Sequence, residues 1–421
     1  MSLATQITFQ SASLSGAGLR YVKDSGVCET TPGVGQLSGY VDIDTNTSMY
    51  FWFFEARHEP ETAPLTLWLS GGPGCSSMRS LFRAHGPCSV SPDGKTTTLN
   101  PFSWNNISNM IYIDQPIGAG FSRGPGPVNS TNVAAAHLWE ALQVLFKSSE
   151  FSKFKTRDLL IGSESYGGHY GPGFVSYFNK QNDKIARGEV QGEFINVSAL
   201  LVNNGWFDPL LQNKAYIDFN IDAPGYGQLQ NATVIQKMSD KFYGPGGCKE
   251  QQQACYDAGD TPESTDLCKA ADNYCYQNVL ALAAGDRNFE DLRQPPGSPT
   301  YDPFPHSYYL DFLRGEAIRE KIGAVGDYQE CSRPVIDAFF STGDDARTFL
   351  PHLGDLANDK MKILIWAGDT DINCNWLGIH ESMLAMDWYG KEEFAKLPFM
   401  NMTINGKLAA TVQNLDNFSF A

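Results

Sequence analysis

Leu160-Ile161-Gly162-Ser163-Glu164-Ser165-Tyr166-Gly167-Gly168 is the stretch on which the fold of this chain turns. An apolar run enters a turn of small residues with Ser165 at its apex, and helix-compatible sequence starts at Gly167. A strand that bends sharply into a helix lifts the apical side chain above the end of a sheet in a strained conformation, as a nucleophilic hydroxyl requires. The positions two before and two after the apex must be small, because strand and helix backbones pass close together there. Gly167 meets that demand, and Ser163, where glycine is usual, is still small. The competing reading is an ordinary strand-to-helix turn.

Outward from this turn, short β-branched and aromatic runs alternate with turn residues. Gly39–Ile43, Tyr50–Phe54, Leu65–Leu69, Met110–Ile113, Leu159–Ile161, Ala199–Val202 and Ile363–Trp366 have strand lengths, and their nearly continuous apolar character predicts a sheet buried on both faces. Val133–Phe146 carries apolar residues at helical spacing behind Asn132, the expected N-cap. Strands alternating with helices indicate an α/β fold with a mostly parallel central sheet flanked by helices. We expect one domain over residues 1–421. Within it, Asp208–Arg333 loses the sheet rhythm and reads as an insertion forming a lid or cap over the active edge.

Composition removes several function classes. Among 421 residues, 31 Lys+Arg stand against 47 Asp+Glu, a formal charge of −16, so a nucleic-acid partner is not expected. No apolar run reaches the roughly 18 residues that span a bilayer, so no membrane segment is expected. The beginning, Met1-Ser2-Leu3-Ala4-Thr5-Gln6, has neither a basic nor an apolar leader region. Seven Asn-x-Ser/Thr sequons (Asn46, Asn106, Asn129, Asn196, Asn231, Asn401 and Asn417) nevertheless lean towards secretion with a leader removed. The nine cysteines lean the same way. Cys248, Cys255, Cys268 and Cys275 lie in a polar segment with outer gaps of seven residues each, which fit zinc spacing poorly and disulfides well. Disulfides place the chain in an oxidising compartment, secreted or vacuolar/lysosomal. The pairing is open among three connectivities.

Two further motifs suit acyl transfer. Ser70-Gly71-Gly72-Pro73-Gly74-Cys75-Ser76-Ser77 follows the Leu65–Leu69 strand, and its glycines let main-chain N–H groups approach a ligand. With the serine turn, the two N–H donors for a developing oxyanion are those of Gly72 and Tyr166. A phosphate loop lacks its Lys-Ser/Thr ending here. Trp366–Trp376 places Asp369 and Asp371 just past a late strand, where an acid that orients a histidine belongs. One of the two can serve that role and the other can cap a helix; the pattern does not choose.

Together, G-G-P-G-C-S-S (Gly71–Ser77), E-S-Y-G-G (Glu164–Gly168), D-Q-P-x-G-x-G-F-S (Asp114–Ser122), N-G-W-x-D-P (Asn204–Pro209) and G-D-x-D-x-x-C-N-W-L-G (Gly368–Gly378) resemble the serine carboxypeptidase family over nearly the whole chain. The resemblance implies an α/β-hydrolase with a disulfide-containing cap and no metal or organic cofactor. It implies Ser165 as nucleophile, Asp371 as triad acid, and Gly72 and Tyr166 as the oxyanion hole. It further implies bridges Cys248–Cys275, Cys255–Cys268, Cys75–Cys331 and Cys28–Cys88, with Cys374 a free thiol near the site. Ser70, Gly71, Glu164 and Cys374 become the substrate-binding residues, and a peptide or acyl donor the partner; the oligomeric state is not encoded.

The sequence departs from the family pattern in three places. The family's histidine stands in a G-H-x-x-P motif after a strand resembling Asp416–Phe420; none of His58, His85, His137, His169, His306, His352 and His380 stands in it, and the sequence ends at Ala421. We therefore expect a polypeptide truncated before its catalytic base. The asparagine that grips a peptide's terminal carboxylate is Ser70, and the first of the family's paired acids is Ala84, so that only Glu164 of that pair remains. Arg83 or His85 is the candidate cationic substitute. Three functions follow: a hydrolase releasing C-terminal residues, an acyltransferase on the same scaffold, or an inactive member that only binds.

Overall fold

The computed structural model describes residues 6–10, 16–259, 261–294 and 307–421. The chain divides into two compact units, one made of Met1–Ser163, Phe174–Ser198 and Phe304–Ala338, the other of Glu164–Gly173, Ala199–Pro303 and Phe339–Ala421.

The first unit carries β1 (Gln6–Gln10), β2 (Gly18–Lys23), β3 (Gln36–Asp42), β4 (Ser48–Phe54), β5 (Leu65–Leu69), a small ribbon of β6 (Cys88–Val90) and β7 (Thr97–Leu99), β8 (Asn109–Ile113) and β9 (Leu159–Glu164). The strand order is β1-β2-β3-β4-β8-β5-β9. Pairing is antiparallel from β1 to β8 and parallel across β8, β5 and β9, where Leu67 sits opposite Ile111 and Ile161. Every residue of β4, β5 and β8 is buried, which is why these strands read as continuous apolar runs rather than alternating ones. Helix α1 (Thr131–Lys147) buries Ala134, Leu138, Ala141, Leu142 and Leu145 along one stripe. Its N-cap is Ser130, whose extended backbone lets Oγ accept from Val133 N at 3.3 Å. The expected cap, Asn132, lies inside the first turn. Three adjacent residues can all cap, and only backbone geometry separates them.

The second unit carries β10 (Val197–Asn203), β11 (Lys362–Trp366), β12 (Met400–Ile404), β13 (Lys407–Leu415) and β14 (Phe418–Phe420). Here β10, β11 and β14 run parallel, and β14, β13 and β12 antiparallel. Helix α2 (Gly167–Ala186) follows the serine turn. Between β10 and β11 the regular elements among the described residues are helices, including α3 (Pro209–Ile221), capped by Asp208 Oδ1 on Leu211 N at 2.9 Å, then α4 (Ala232–Tyr243), α5 (Cys248–Asp257) and α6 (Thr265–Cys275). Cys248–Cys275 and Cys255–Cys268 clip α5 to α6. Cys28–Cys88 and Cys75–Cys331 close the first unit, and Cys374 is the free, buried thiol. All four pairings are those the resemblance implied. Loops of 27 and 13 residues closed in this way restrict the unfolded chain by about 3 kcal/mol each. Among the described residues no helix is long and apolar enough to cross a membrane.

Not every sequon is open. Asn417 commits Nδ2 to the carbonyls of Ala357 (3.0 Å) and Met361 (2.6 Å), whereas Asn46, Asn129, Asn196 and Asn401 are exposed.

The glycine loop after β5 owes its shape to Asp114. Asp114 is fully buried, and its Oδ1 accepts from Ser76 Oγ (2.6 Å) and Ser77 N (3.0 Å) while Oδ2 accepts from Phe121 N (2.9 Å). Gly120, at φ +55°, is required beneath it, since a Cβ would stand 2.0 Å from Oδ2. Burial pushes the Asp114 pKa up to about 6 against the opposing pull of these donors. Because the folded value lies above the unfolded one near 3.8, the group's contribution to stability is full below pH 4 and is lost as pH rises through about 6. Thermal melts should therefore show the midpoint falling from pH 4.5 to pH 7. D114N should destabilise the fold throughout, by about 1–3 kcal/mol for the acceptor lost to Phe121 N, and flatten the slope. An unchanged slope in D114N would count against this assignment.

Candidate active site

Ser165 occupies φ +58°, a left-handed conformation rare for a residue with a side chain. Its backbone is held from both directions: Ser165 N donates to Asn203 O at 3.0 Å, and Ser165 O accepts from Trp206 N at 2.8 Å and Gly168 N at 3.0 Å. The segment after β10 thus clamps the strained turn. Gly168 is forced by the same closeness, since a Cβ there would come within 2.5 Å of Trp206 backbone atoms. Ser165 and Glu164 keep some exposure, whereas Tyr166 is buried with its hydroxyl on Asp344 Oδ2 at 2.7 Å.

The same unit brings Asp371 and Cys374 to this turn. Asp371 Oδ1 accepts from the N–H groups of Asn373 (2.7 Å) and Cys374 (3.2 Å), and Oδ2 accepts from Asn204 Nδ2 at 3.0 Å. Ser165 neighbours the Cys374 thiol and lowers its pKa against the effect of burial. Burial and the nearby Glu290 charge push the Asp371 pKa up to about 7, although three donors oppose them. Burial, then the charges of Asp371 and Asp345, raise the Cys374 pKa. The two aspartates have different surroundings, and neither is the helix cap that the sequence allowed. Asp369 accepts from the exposed Tyr226 hydroxyl at 3.2 Å, and the following helix, α7 (Trp376–Ala385), is capped by Asn375, so neither aspartate caps it.

Asn204 went unassigned in the sequence although its motif was visible. At φ +40° it donates to Asp371 Oδ2 and to Cys374 O (3.1 Å) and accepts from Gly368 N (3.1 Å), tying the end of β10 to the loop after β11. No polar pattern in the sequence marks it, because its three partners lie 164, 167 and 170 residues downstream.

The histidines do other work. His169 is fully buried with Nδ1 at 2.5 Å from Trp206 O, and burial lowers its pKa. His380 Nε2 lies 2.7 Å from Gln413 Oε1, with its pKa also lowered by burial. His352 packs on Phe349. His306 lies outside the described residues. The polar partners of Asp371 among the described residues do not include an imidazole.

In the first unit, Gly71 O accepts from Cys75 N at 3.0 Å and Gly72 sits at φ +116°, exposed. Cys75 is bridged to Cys331, and Ser76 N donates to Glu330 O at 2.7 Å. Ser70 is buried with its hydroxyl 2.9 Å from that of Ser80. Ala84 is exposed, and Arg83 stands 3.9 Å from Glu330. His85 cannot be the cationic substitute. It is buried between Trp68 and Trp104 with Nδ1 at 2.9 Å from Tyr112 OH, and burial pushes its pKa down to about 3.

A strained serine with a fixed carboxylate in the same unit defines the class: a serine hydrolase. The serine carboxypeptidase family model matches residues 27–421, and the chain belongs to that family. It is 43% identical over 402 residues to carboxypeptidase S1 of Penicillium janthinellum, covering 95% of this chain and 92% of that one. It is 32% identical over 469 residues to carboxypeptidase S1 homolog A of Arthroderma otae, covering 94% and 71%. The crystal structure of KEX1(delta)p, a prohormone-processing carboxypeptidase from Saccharomyces cerevisiae, superposes with a TM-score of 0.76 at 21% identity, covering 98% and 90%; that likeness establishes the α/β-hydrolase fold.

Cys374 gives a direct chemical check. A buried thiol with a raised pKa has little thiolate at neutral pH. Iodoacetamide at pH 8 should leave the native protein unmodified, add one group after denaturation alone, and add nine after denaturation and reduction, counted by intact mass.

Proposed function

We propose that this chain removes C-terminal residues from peptides through an acyl-enzyme on Ser165. Ser165 Oγ attacks the carbonyl carbon of the last peptide bond and gives its proton to an imidazole. The tetrahedral oxyanion is held by the N–H groups of Gly72 and Tyr166. Its collapse expels the terminal amino acid, whose amine takes the proton back, and water then hydrolyses the ester by the same route in reverse order. The observation that carries this reading is the strained Ser165 in the same unit as Asp371, a carboxylate fixed by Asn204, Asn373 and Cys374. Asp371 Oδ2 accepts one bond, from Asn204, and has capacity for a second donor. That donor is the imidazole of the proposed triad, and its positive charge would draw the Asp371 pKa down from about 7. None of the described histidines is among the donors to Asp371, so the step needs a histidine outside the described residues. We read 208–333 as the cap over this site, and the four disulfides support a secreted or vacuolar location.

Fluorophosphonate labelling of the full gene product tests the nucleophile: label on Ser165, absent in S165A, is expected, and an unlabelled Ser165 ends this reading. N204A should lower kcat/KM by about tenfold to a hundredfold with a smaller change in KM, since it loosens Asp371 without touching substrate.

The carboxylate grip generates a further expectation. With Ala84 where the family has an acid, position 84 can share no proton with Glu164. The ratio of kcat/KM for a free-acid peptide to that for its amide should therefore be small and nearly flat between pH 4 and 7. A large ratio that grows towards acid pH would show the grip intact. The same alteration favours a second reading, transfer of the acyl group to an alcohol or amine. Product partition between water and added alcohols separates the two.

A further inference from the structure

The glycine loop of the first unit is fastened covalently to the chain at residues 330–332. Cys75 and Cys331 form a disulfide and pair as an isolated antiparallel bridge. Ser76 N donates to Glu330 O at 2.7 Å on one side of it, and Ser332 N donates to Gly74 O at 3.0 Å on the other. The disulfide also touches the glycine that supplies a proposed oxyanion donor. A Cβ on Gly72 would stand 2.9 Å from Cys75 Sγ and 2.8 Å from Cys75 N, so the sulfur lies against the Gly72 backbone. Exposure sets this disulfide apart from the other three. Cys331 is exposed, whereas the other seven bridged cysteines are buried, none of them more than 6% exposed. Three disulfides are therefore closed to solvent at both ends, and the fourth presents one cysteine to it.

Thiol–disulfide exchange begins with attack of a thiolate on a sulfur it can reach, so exposure selects among disulfides. We propose that Cys331 is a reversible modification site for a small anionic thiol, and that modification there loosens the loop carrying the Gly72 N–H. The thiolate sulfur bonds to Cys331 Sγ, the Cys75–Cys331 bond breaks, and its electron pair leaves on Cys75 Sγ, which takes a proton from water. One disulfide replaces another, and neither oxidant nor reductant is consumed beyond the thiol itself. In reverse, the Cys75 thiolate attacks Cys331 Sγ and expels the small thiol. The proposal rests on the reading of Gly72 N–H as an oxyanion donor.

The loop does not depend on the disulfide along its whole length. Its ends are held elsewhere: Ser70 N donates to Ser77 Oγ at 3.1 Å, and Ser76 and Ser77 are bound to Asp114. The arc between them, Gly71–Gly74, has the disulfide at its foot, with the Cys75 N–Gly71 O and Ser332 N–Gly74 O bonds beside it. An adduct on Cys331 therefore frees the arc that contains Gly72 and leaves both ends anchored. A donor that moves is a poor one for a developing oxyanion, so the effect falls on the chemical step. Charge beside the disulfide selects the thiol. Arg79 and Arg83 stand 3.4 Å and 3.9 Å from Glu330, and Arg333, its side chain 78% exposed, stands 2.8 Å from Asp337. These pairs set three cations against two carboxylates next to Cys331, in a chain whose formal charge is −16. A thiol bearing a carboxylate or sulfonate is drawn to such a patch, and a cationic thiol is not.

The test treats the full gene product with mercaptoethanesulfonate or with cysteamine, traps released thiols with N-ethylmaleimide, and maps the peptides without reduction. The sulfonate adduct is expected on Cys331 and the maleimide on Cys75, with the other three disulfides and Cys374 unchanged. In step with the adduct, kcat/KM should fall by about tenfold or more, mostly in kcat, while far-ultraviolet circular dichroism stays the same. Without the maleimide, removing the thiol by gel filtration under nitrogen should restore activity, because ring closure needs no oxidant. Per thiolate, the sulfonate should react at least about threefold faster than cysteamine, and R333Q should narrow that gap without changing basal kcat/KM. A first adduct on another disulfide overturns the proposal, as do equal rates for the two thiols or loss of circular dichroism along with activity. Full activity in the adduct overturns it too, and hydrogen exchange of residues 71–75 then locates the fault. Unchanged exchange would mean that the disulfide does not hold the loop; faster exchange would mean that Gly72 is not the donor. Failure of Ser165 to take a fluorophosphonate before any thiol is added would strike the nucleophile assignment instead, and the mapping would still report on Cys331.

Discussion

The strained backbone at Ser165 is the constraint on which the second unit is built. A residue with a side chain at φ +58° persists only where its surroundings over-determine it. Here the N–H and carbonyl of Ser165 are both taken by residues 203 and 206, so relaxing the turn breaks two or more backbone bonds at once. The motif Asn204–Pro209 is therefore as much a part of the serine turn as the residues on either side of it. Asn203 supplies the acceptor, Asn204 reaches Asp371, Gly168 makes room for Trp206, and Asp208 starts α3.

The glycine loop of the first unit is shaped by a different force. Its glycines give freedom, and the buried carboxylate of Asp114 removes it again by gathering Ser76, Ser77 and Phe121 on two oxygens. The Cys75–Cys331 bridge and the Ser76–Glu330 backbone bond fasten the same loop to the chain that returns after residue 307. A backbone donor is useful to an oxyanion only if it stays still while charge develops. Buried ionic hydrogen bonds supply that stillness at a cost in stability, visible in the raised pKa of Asp114.

What the sequence disclosed follows from how local the cause was. The serine turn, the buried strands and α2 rest on contiguous apolar runs and small residues, and they lie where the pattern put them. The disulfide pairing was reached through family likeness, since spacing alone left three arrangements open. Asn132 was the expected cap and Ser130 is the cap observed, because capping depends on a backbone angle as well as on residue type. His85 looked like a cation beside Arg83 and is a neutral imidazole, because Trp68, Trp104 and Tyr112 come from three distant segments to enclose it. The partners of Asn204 were hidden for the same reason.

Three buried acids of the second unit are shifted in one direction, and that has a consequence for how the site works. Asp371, Asp272 and Asp345 all have raised pKa values, chiefly through burial, and Cys374 is raised beside them. A cluster of this kind keeps protons and disfavours negative charge, so each carboxylate that ionises makes the next ionisation harder. Cys374 matters here as a neutral spacer: its N–H feeds Asp371 while the thiol, its pKa raised by burial, adds no charge of its own. An ionised Asp371 is then disfavoured below about pH 7 unless a cation answers it. Asn204, Asn373 and Cys374 orient the carboxylate but bring no charge, so orientation and neutralisation are supplied by different groups. An imidazole that becomes positive only as it takes the serine proton would be answered by that carboxylate when, and only when, the reaction needs it.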